Sequence, residues 1–321
     1  MAPPGLIDVH AHFVTDEYVA AARAAGIAHP DGMPGWPGWD PADHLELMRR
    51  GGIDKAYLSV SSPGVHFGDD TAARLLARSV NEFGAAVALK YPHQFGYFAT
   101  LPDVAGSVAE AAYALDVLGA DGVVVESNHH GIYLGDPRFE PLWAELDRRG
   151  ALVFVHPTSP PNAEAVSLGR PRPMLEFLFD TARSAADLVL AGVLLRHPRI
   201  RWVLTHAGGV LPLLADRMDM FRTAFGSGFG SAESDSPTVL SQLAGVWYDM
   251  AGTPFPRQVP AFEAAFGTSR LVYGSDYCWT PAAAALNQIA SIDAAPPPPG
   301  YPTWRDLTTA NARRLLAGGD R

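Results

Sequence analysis

The chain has 321 residues, 48% hydrophobic and 18% charged, which is enough apolar material for a large core and argues against disorder. A formal net charge of −10, with no acidic run, argues against a nucleic-acid-binding or anionic-membrane-binding surface and reads as ordinary solubility. Cys278 is the one cysteine, so no internal disulfide forms; with neither a basic leader nor a long apolar run, the expected setting is the reducing cytoplasm.

In chain order, short apolar runs bounded by turn residues fall at 6–10, 56–60, 95–100, 122–126, 152–156, 202–206, 246–250 and 271–275. Runs of this kind read as buried parallel strands. Longer segments with helical spacing lie at 41–50, 69–88, 104–118, 137–149, 172–196, 210–225, 256–266 and 303–316, the first opening after Asp40 as its N-cap. Eight strands alternating with eight helices predict one (β/α)₈ TIM barrel domain over residues 1–321. The competing fold, an open doubly wound sheet, calls for a glycine-rich phosphate loop after the first strand, and the sequence has none there. Three stretches stand outside the alternation. Residues 27–40 form a lid-like loop with Trp36 and Trp39, 226–237 has the composition of a flexible connection, and 294–302 is rich in proline. Loops after barrel strands lie over the active-site face, which makes the first of these the most informative.

The first strand carries Asp8-Val9-His10-Ala11-His12. Side chains alternate along a strand, so positions 8, 10 and 12 are expected to share a face and both imidazoles to reach one ion in the lumen. His156 ends the fifth strand, His206 the sixth, and Asp276 follows the eighth. Strand ends of a barrel meet on one face, so these residues converge there. One such residue alone is best read as a cap or core polar group; five together point to a metal centre. Neutral imidazoles and a carboxylate suit Zn²⁺, and also Mn²⁺ or Fe²⁺.

The order His-x-His, strand-five His, strand-six His-Ala-Gly-Gly and strand-eight Gly-Ser-Asp resembles the amidohydrolase superfamily. It is most similar to the branch containing aminocarboxymuconate-semialdehyde decarboxylase and related aromatic acid decarboxylases. The likeness spans essentially the whole chain, through 133–158, 204–218, 272–277 and 311–316, and the first of these stretches resembles the 6-methylsalicylate decarboxylases. The resemblance implies that His10, His12, His156 and Asp276 bind one divalent metal and that His206 is an acid/base that holds the metal-bound water. Some superfamily members bridge two metals through a carboxylated lysine at the end of strand four. This chain has only Lys55 and Lys90, neither on that strand, which favours one ion. Glu126 is the one candidate bridge for a second. Some decarboxylases of the branch carry Glu where this chain has His10, so the resemblance leans toward Zn²⁺ over Mn²⁺. It also implies a homodimer in which an arginine crosses to the neighbouring site, with Arg222 as the candidate.

Other candidates are weaker. Trp36 and Trp39 serve either as an aromatic wall for a planar substrate or as a loop latch. Asn128 and His129, with His130, follow strand four and shape specificity or face water. Arg49 and Arg50 either pair with a substrate carboxylate or, as helix-end arginines usually do, face water. Arg217 lies with Arg222 after the His206 turn, Cys278 reads as a packed small hydrophobe, and His29, His44, His66, His93 and His197 read as structural or surface residues. The expected activity is that of a carbon–carbon lyase, a metal-dependent decarboxylase of a small aromatic or unsaturated carboxylic acid, with His206 and Asp276 managing the proton. The alternative uses the same ligands to make a hydroxide that attacks an amide or lactone. A catalytically silent metal-binding scaffold is the third reading.

Overall fold

A computed structural model describes residues 5–225 and 237–318. The flexible connection expected at 226–237 lies outside the described residues except for Pro237. Eight strands, β1 (Leu6–His12), β2 (Ile53–Ser59), β3 (Phe95–Thr100), β4 (Gly122–Glu126), β5 (Leu152–His156), β6 (Arg201–Leu204), β7 (Trp247–Asp249) and β8 (Leu271–Val272), form one sheet in sequence order. Each pairs in parallel with the next. The Val9 amide donates to the Tyr273 carbonyl at 3.0 Å and the Asp276 amide to the His10 carbonyl at 2.8 Å, bringing β8 back to β1. The result is a nearly closed (β/α)₈ barrel.

The outer layer comprises α1 (Asp16–Ala24), α2 (Pro41–Gly51), α3 (Asp70–Lys90), α4 (Ser107–Asp116), α5 (Glu140–Arg149), α6 (Glu176–Leu190), α7 (Leu211–Phe225), α8 (Val259–Phe266), α9 (Ala282–Asp293) and α10 (Trp304–Ala317). Asp40 does cap α2, accepting from the Ala42 amide at 2.7 Å, and Gly52 ends the helix in the left-handed region at φ 66°. Two of these ten helices went unread in the sequence. Both α1 (DEYVAAARA) and α9 (AAAALNQIASID) are alanine-rich, so their apolar faces contrast weakly with the rest. The helix that follows β8 is therefore α9. The segment at 303–316, expected in that place, is α10, whose Ala312 and Leu315 sit in the lumen cluster. Asn311 donates to the Leu271 carbonyl at 2.7 Å and Thr309 to the Gly5 carbonyl at 3.0 Å, so α10 plugs the end of the barrel where the strands begin.

The period of two aims each strand's last side chain. Leu152 and Phe154 point into the lumen with Val9, Phe98, Val124, Val203, Trp247 and Val272, while Val153 and Val155 pack outward against the helices. Continuing the alternation turns His156 inward on β5 and Asp249 inward on β7. Strand β1 departs from it. Val9 is already in the lumen, so unbroken alternation would turn His10 outward. A register shift between Asp8 and Ala11 changes the phase, and His10 and His12 then both face in. Positions 8, 10 and 12 do not share a face by simple alternation. Asp8 is instead spent on the irregularity itself, its Oδ1 accepting from the amides of His10 at 3.1 Å and Ser275 at 3.0 Å.

Candidate metal centre

Four side chains meet where the strands end. His10, His12, His156 and Asp276 each offer a ligand atom within 4.8 Å of the other three. The three histidines are at most 3% exposed. The Nε2 atoms of His10 and His12 are 3.0 Å apart, and Asp276 Oδ1 lies 3.5 Å from the first and 3.3 Å from the second.

The outer nitrogens are all occupied. His10 Nδ1 donates to Asp249 Oδ2 at 2.9 Å, His12 Nδ1 to Ser59 Oγ at 3.1 Å, and His156 Nδ1 to the Pro157 carbonyl at 2.7 Å. A neutral imidazole that donates from Nδ1 presents an unprotonated Nε2 to the other side. The centre therefore gathers imidazole lone pairs around a carboxylate, an arrangement a divalent cation satisfies.

The electrostatics agree. Burial opposes charge on Asp276, but the imidazoles of His12 and His206 beside it outweigh burial and hold the carboxyl well below its usual range. Burial also opposes charge on Asp249, and the neighbouring His10 with its hydrogen bond outweighs burial, lowering that carboxyl. On His10, burial is outweighed by the Asp249 charge, so its pKa lies above the ordinary imidazole value. Burial dominates at His12, which lies below that value, and at His156, which lies well below it. Three imidazoles and a carboxylate converging in a dry pocket form a donor set that fits one divalent metal.

His206 stands apart from the four. Its Nε2 is 3.7 Å from Asp276 Oδ2, its ring centre is 5.1 Å from that of His10, and it borders the adjoining cavity. Its amide donates to Asp249 Oδ1 at 3.0 Å, and its buried Nδ1 has no hydrogen-bond partner among the described residues. It sits at φ 54°, a left-handed conformation seldom adopted outside glycine, which Gly208 and Gly209 continue at φ 72° and 61°. A side chain at Gly209 would strike the Leu178 backbone, so glycine there lets the turn pack closely against that residue.

Glu126 is not in this cluster. Its Oε2 lies 3.7 Å from His156 Nδ1, the nitrogen facing away from the centre, and burial followed by the Asp31 charge pushes its carboxyl well above the usual range. It is badly placed to bridge a second ion there.

Beside the four donors opens a cavity of about 760 Å³. Met33, Phe177, Leu178, Ala251, Trp279 and Ala284 supply apolar walls, and Arg257 is the only arginine or lysine among the described residues lining it. None of the five residues expected to bind substrate lines it. Trp36 donates to the Ile27 carbonyl at 2.9 Å and meets the cavity wall only through Trp279, ring centres 5.7 Å apart. Trp39 donates to His44 Nδ1 at 3.0 Å among Phe13, Phe83 and Phe95, which makes it a latch. Asn128 is buried and bonds Asp180 at 2.8 Å, fixing a hairpin. His129 faces a different hollow. Arg222 is buried on its own chain, donating to the Pro237 carbonyl at 3.2 Å beside Asp219. The loop at 27–40 does reach the cavity, through Asp31 and Met33 and not through its tryptophans. Cys278 packs with Leu47, Tyr277 and Ala285, and burial pushes its thiol up to about 12. His44 is a buried structural residue, pushed down to about 3 by burial, with His12 adding to the shift.

Sequence reasoning missed Asp249, Trp279 and Arg257. Asp249 ends β7 by the rule that points to Asp276, and Trp279 follows Asp276 by three residues. Arg257 lies in an irregular helical turn with no pattern to mark it.

A parallel eight-stranded barrel whose strand ends gather three histidines and an aspartate beside an apolar cavity belongs to the enzymes that work from one barrel face. The amidohydrolase family model matches residues 7–318, and the chain belongs to that family. It is 33% identical over 297 residues to 6-methylsalicylic acid decarboxylase of Penicillium expansum, covering 90% of this chain and 89% of that one. It is also 33% identical over 294 residues to decarboxylase macB of Penicillium terrestre, covering 86% and 84%. Among solved structures, an amidohydrolase II matches with a TM-score of 0.88 at 31% identity over 98% of this chain and 100% of that one. A 5-carboxyvanillate decarboxylase of Novosphingobium aromaticivorans, crystallised with manganese and a nitrobenzoic acid, shares the fold with a TM-score of 0.84 at 21% identity, over 98% and 96%.

Proposed function

We propose that the chain is a metal-dependent carboxy-lyase that removes carbon dioxide from a small aromatic carboxylic acid. The observation that carries this is the four-donor cluster opening onto an apolar cavity where, among the described residues, Arg257 is the one arginine or lysine in the lining and forms no ion pair. The names of the relatives support decarboxylation over amide or lactone hydrolysis.

His10, His12, His156 and Asp276 would hold one divalent ion, Zn²⁺ by preference for a set rich in imidazole, with Mn²⁺ the alternative. Bound there, the ion would neutralise and orient the substrate's carboxylate together with an oxygen ortho to it. Loss of carbon dioxide from an aryl acid needs a proton on the ring carbon that bears the carboxylate. His206 stands at the cavity wall against Asp276 and delivers that proton from Nε2. The carbon–carbon bond then breaks, its electron pair restores the ring, and carbon dioxide leaves. Phe177 and Trp279 give the ring aromatic walls, Arg257 pairs with an anionic substituent, and Asp31 and Met33 make the 27–40 loop a partial lid.

We further read the chain as a single barrel domain, a cytoplasmic homodimer with no nucleic-acid or membrane partner. Leu213 and Met220 on α7, 78% and 50% exposed and two turns apart on one face, offer an apolar face for a second copy. No helix among the described residues is long and apolar enough to cross a membrane. The test is a panel of ortho-hydroxylated benzoic acids incubated with metal-loaded protein, with carbon dioxide and the decarboxylated phenol quantified. Turnover of lactones or amides with none of the acids would overturn the reading.

A further inference from the structure

His66, read from the sequence as a residue without a constellation, is in fact part of one. The loop after β2 carries His66 and the hairpin after β4 carries His129 and His130, and the three offer ligand atoms within 4.8 Å of one another. Their ring centres are 4.8–5.2 Å apart. None of the three lines the catalytic cavity; they border a separate hollow of about 330 Å³.

Hydrogen bonding fixes the tautomer of His66. Its Nε2 donates to Asp70 Oδ1 at 2.9 Å, and its Nδ1 accepts a long 3.3 Å contact from the Gly68 amide. The proton is thus on Nε2, and the Nδ1 lone pair faces His130 Nε2 at 2.9 Å. A carboxylate holding the outer nitrogen of an imidazole is the arrangement that orients metal-binding histidines. Donors around a tetrahedral ion with bonds of about 2.0–2.1 Å stand about 3.3 Å apart, so small side-chain rotations would complete a site.

The backbone adds a second argument. His129 pairs with Ile132 across a two-residue turn, and His130 and Gly131 have φ of 49° and 86°. Such a turn favours Asn or Gly at its first central position. The turn is held by the Asn128 side chain, which accepts from the Gly131 amide at 2.8 Å. An imidazole kept in a left-handed conformation beside two others points to a use for it.

We propose that His66, His129 and His130 form a second, peripheral binding site for a borderline divalent cation of the Zn²⁺ or Ni²⁺ class. The ion ties the β2 loop, which supplies Ser61 and Ser62 to the catalytic cavity, to the β4 hairpin. It takes no part in binding at His10, His12, His156 and Asp276.

The test is Zn²⁺ titration of the full chain, read as equivalents bound against a chromophoric chelator and as the shift in Tm. The wild type takes up two equivalents, the second more weakly, with a further rise in Tm as the second binds. His130→Gly suits the turn's left-handed backbone and so keeps the fold; it should keep the first equivalent and bind the second at least tenfold more weakly, without the added Tm rise. His66→Ala should do the same from the other loop. A wild type that binds a single equivalent, or a second equivalent that survives both substitutions, would overturn the proposal.

Discussion

Asp249→Asn changes one atom in the centre and removes no ligand. In the wild type, Oδ1 accepts from the amides of His206 at 3.0 Å and Ala251 at 2.9 Å, while Oδ2 accepts from His10 Nδ1 at 2.9 Å. Two backbone donors pin the oxygen of an asparagine in the Oδ1 place, which leaves its NH₂ facing His10. That NH₂ must donate, so His10 Nδ1 must become the acceptor and its proton moves to Nε2. The face that meets His12 Nε2 at 3.0 Å then carries a hydrogen, and His10 is lost as a ligand. Removing a carboxylate that orients a metal-binding histidine costs about 10–100-fold in metal affinity, roughly 1.4–2.8 kcal/mol. The tautomer switch places this variant at the upper end, on the order of 100-fold. Asn is nearly the shape of Asp, so the barrel should stay folded. Dialysis against graded free Zn²⁺ and Mn²⁺, followed by metal analysis, measures the affinity, and circular dichroism checks the fold. A folded variant with wild-type affinity would show that Asp249 does not set the state of His10.

The barrel was legible because parallel strands covered on both faces leave short apolar runs, and all eight strands were found. The ends of β6 and β8 were read two or three residues too long, since there the chain leaves the sheet for the His206 turn and the Asp276 loop while its sequence stays strand-like. Strand-end polarity identified His156 and Asp276 for a physical reason: a buried lumen accepts a polar side chain only where the packed layers stop. That logic does not extend to the cavity wall. Trp36 and Trp39 stand out in the sequence, yet their indole N–H groups bond within the loop and its neighbours. Trp279 and Arg257 reach the cavity from loops whose paths depend on the finished barrel. The His66 cluster was illegible for a related reason. It joins two loops through residues 64 positions apart, and only the adjacency of the strand ends brings them together.

His10→Ala or His156→Ala should lower metal occupancy and abolish decarboxylation with little change in far-ultraviolet circular dichroism, because these side chains lie beyond the packed layers. Full occupancy in either variant would misassign the centre. Arg257→Gln should reduce kcat/KM by roughly 10–150-fold, the worth of a hydrogen bond to a charged group, chiefly through KM; an unchanged KM would remove Arg257 from the substrate's path. Sedimentation at micromolar concentration should show a dimer, and a monomer alone would reject that assignment. The last expectation is that His206→Asn keeps the metal and loses turnover by on the order of 10²–10⁴-fold, the range for removing a general acid or base. Four protein donors would already serve the ion, and a catalytic metal must keep a position open for substrate. His206 is not among the four, and its Nε2 faces Asp276 Oδ2 across 3.7 Å at the edge of the cavity. Asparagine tolerates the left-handed backbone at φ 54° and keeps the amide bond to Asp249, so the turn should survive the change. Metal content and turnover measured on one preparation separate the roles: if the metal departs in step with activity, His206 is a ligand and the proton must come from another group.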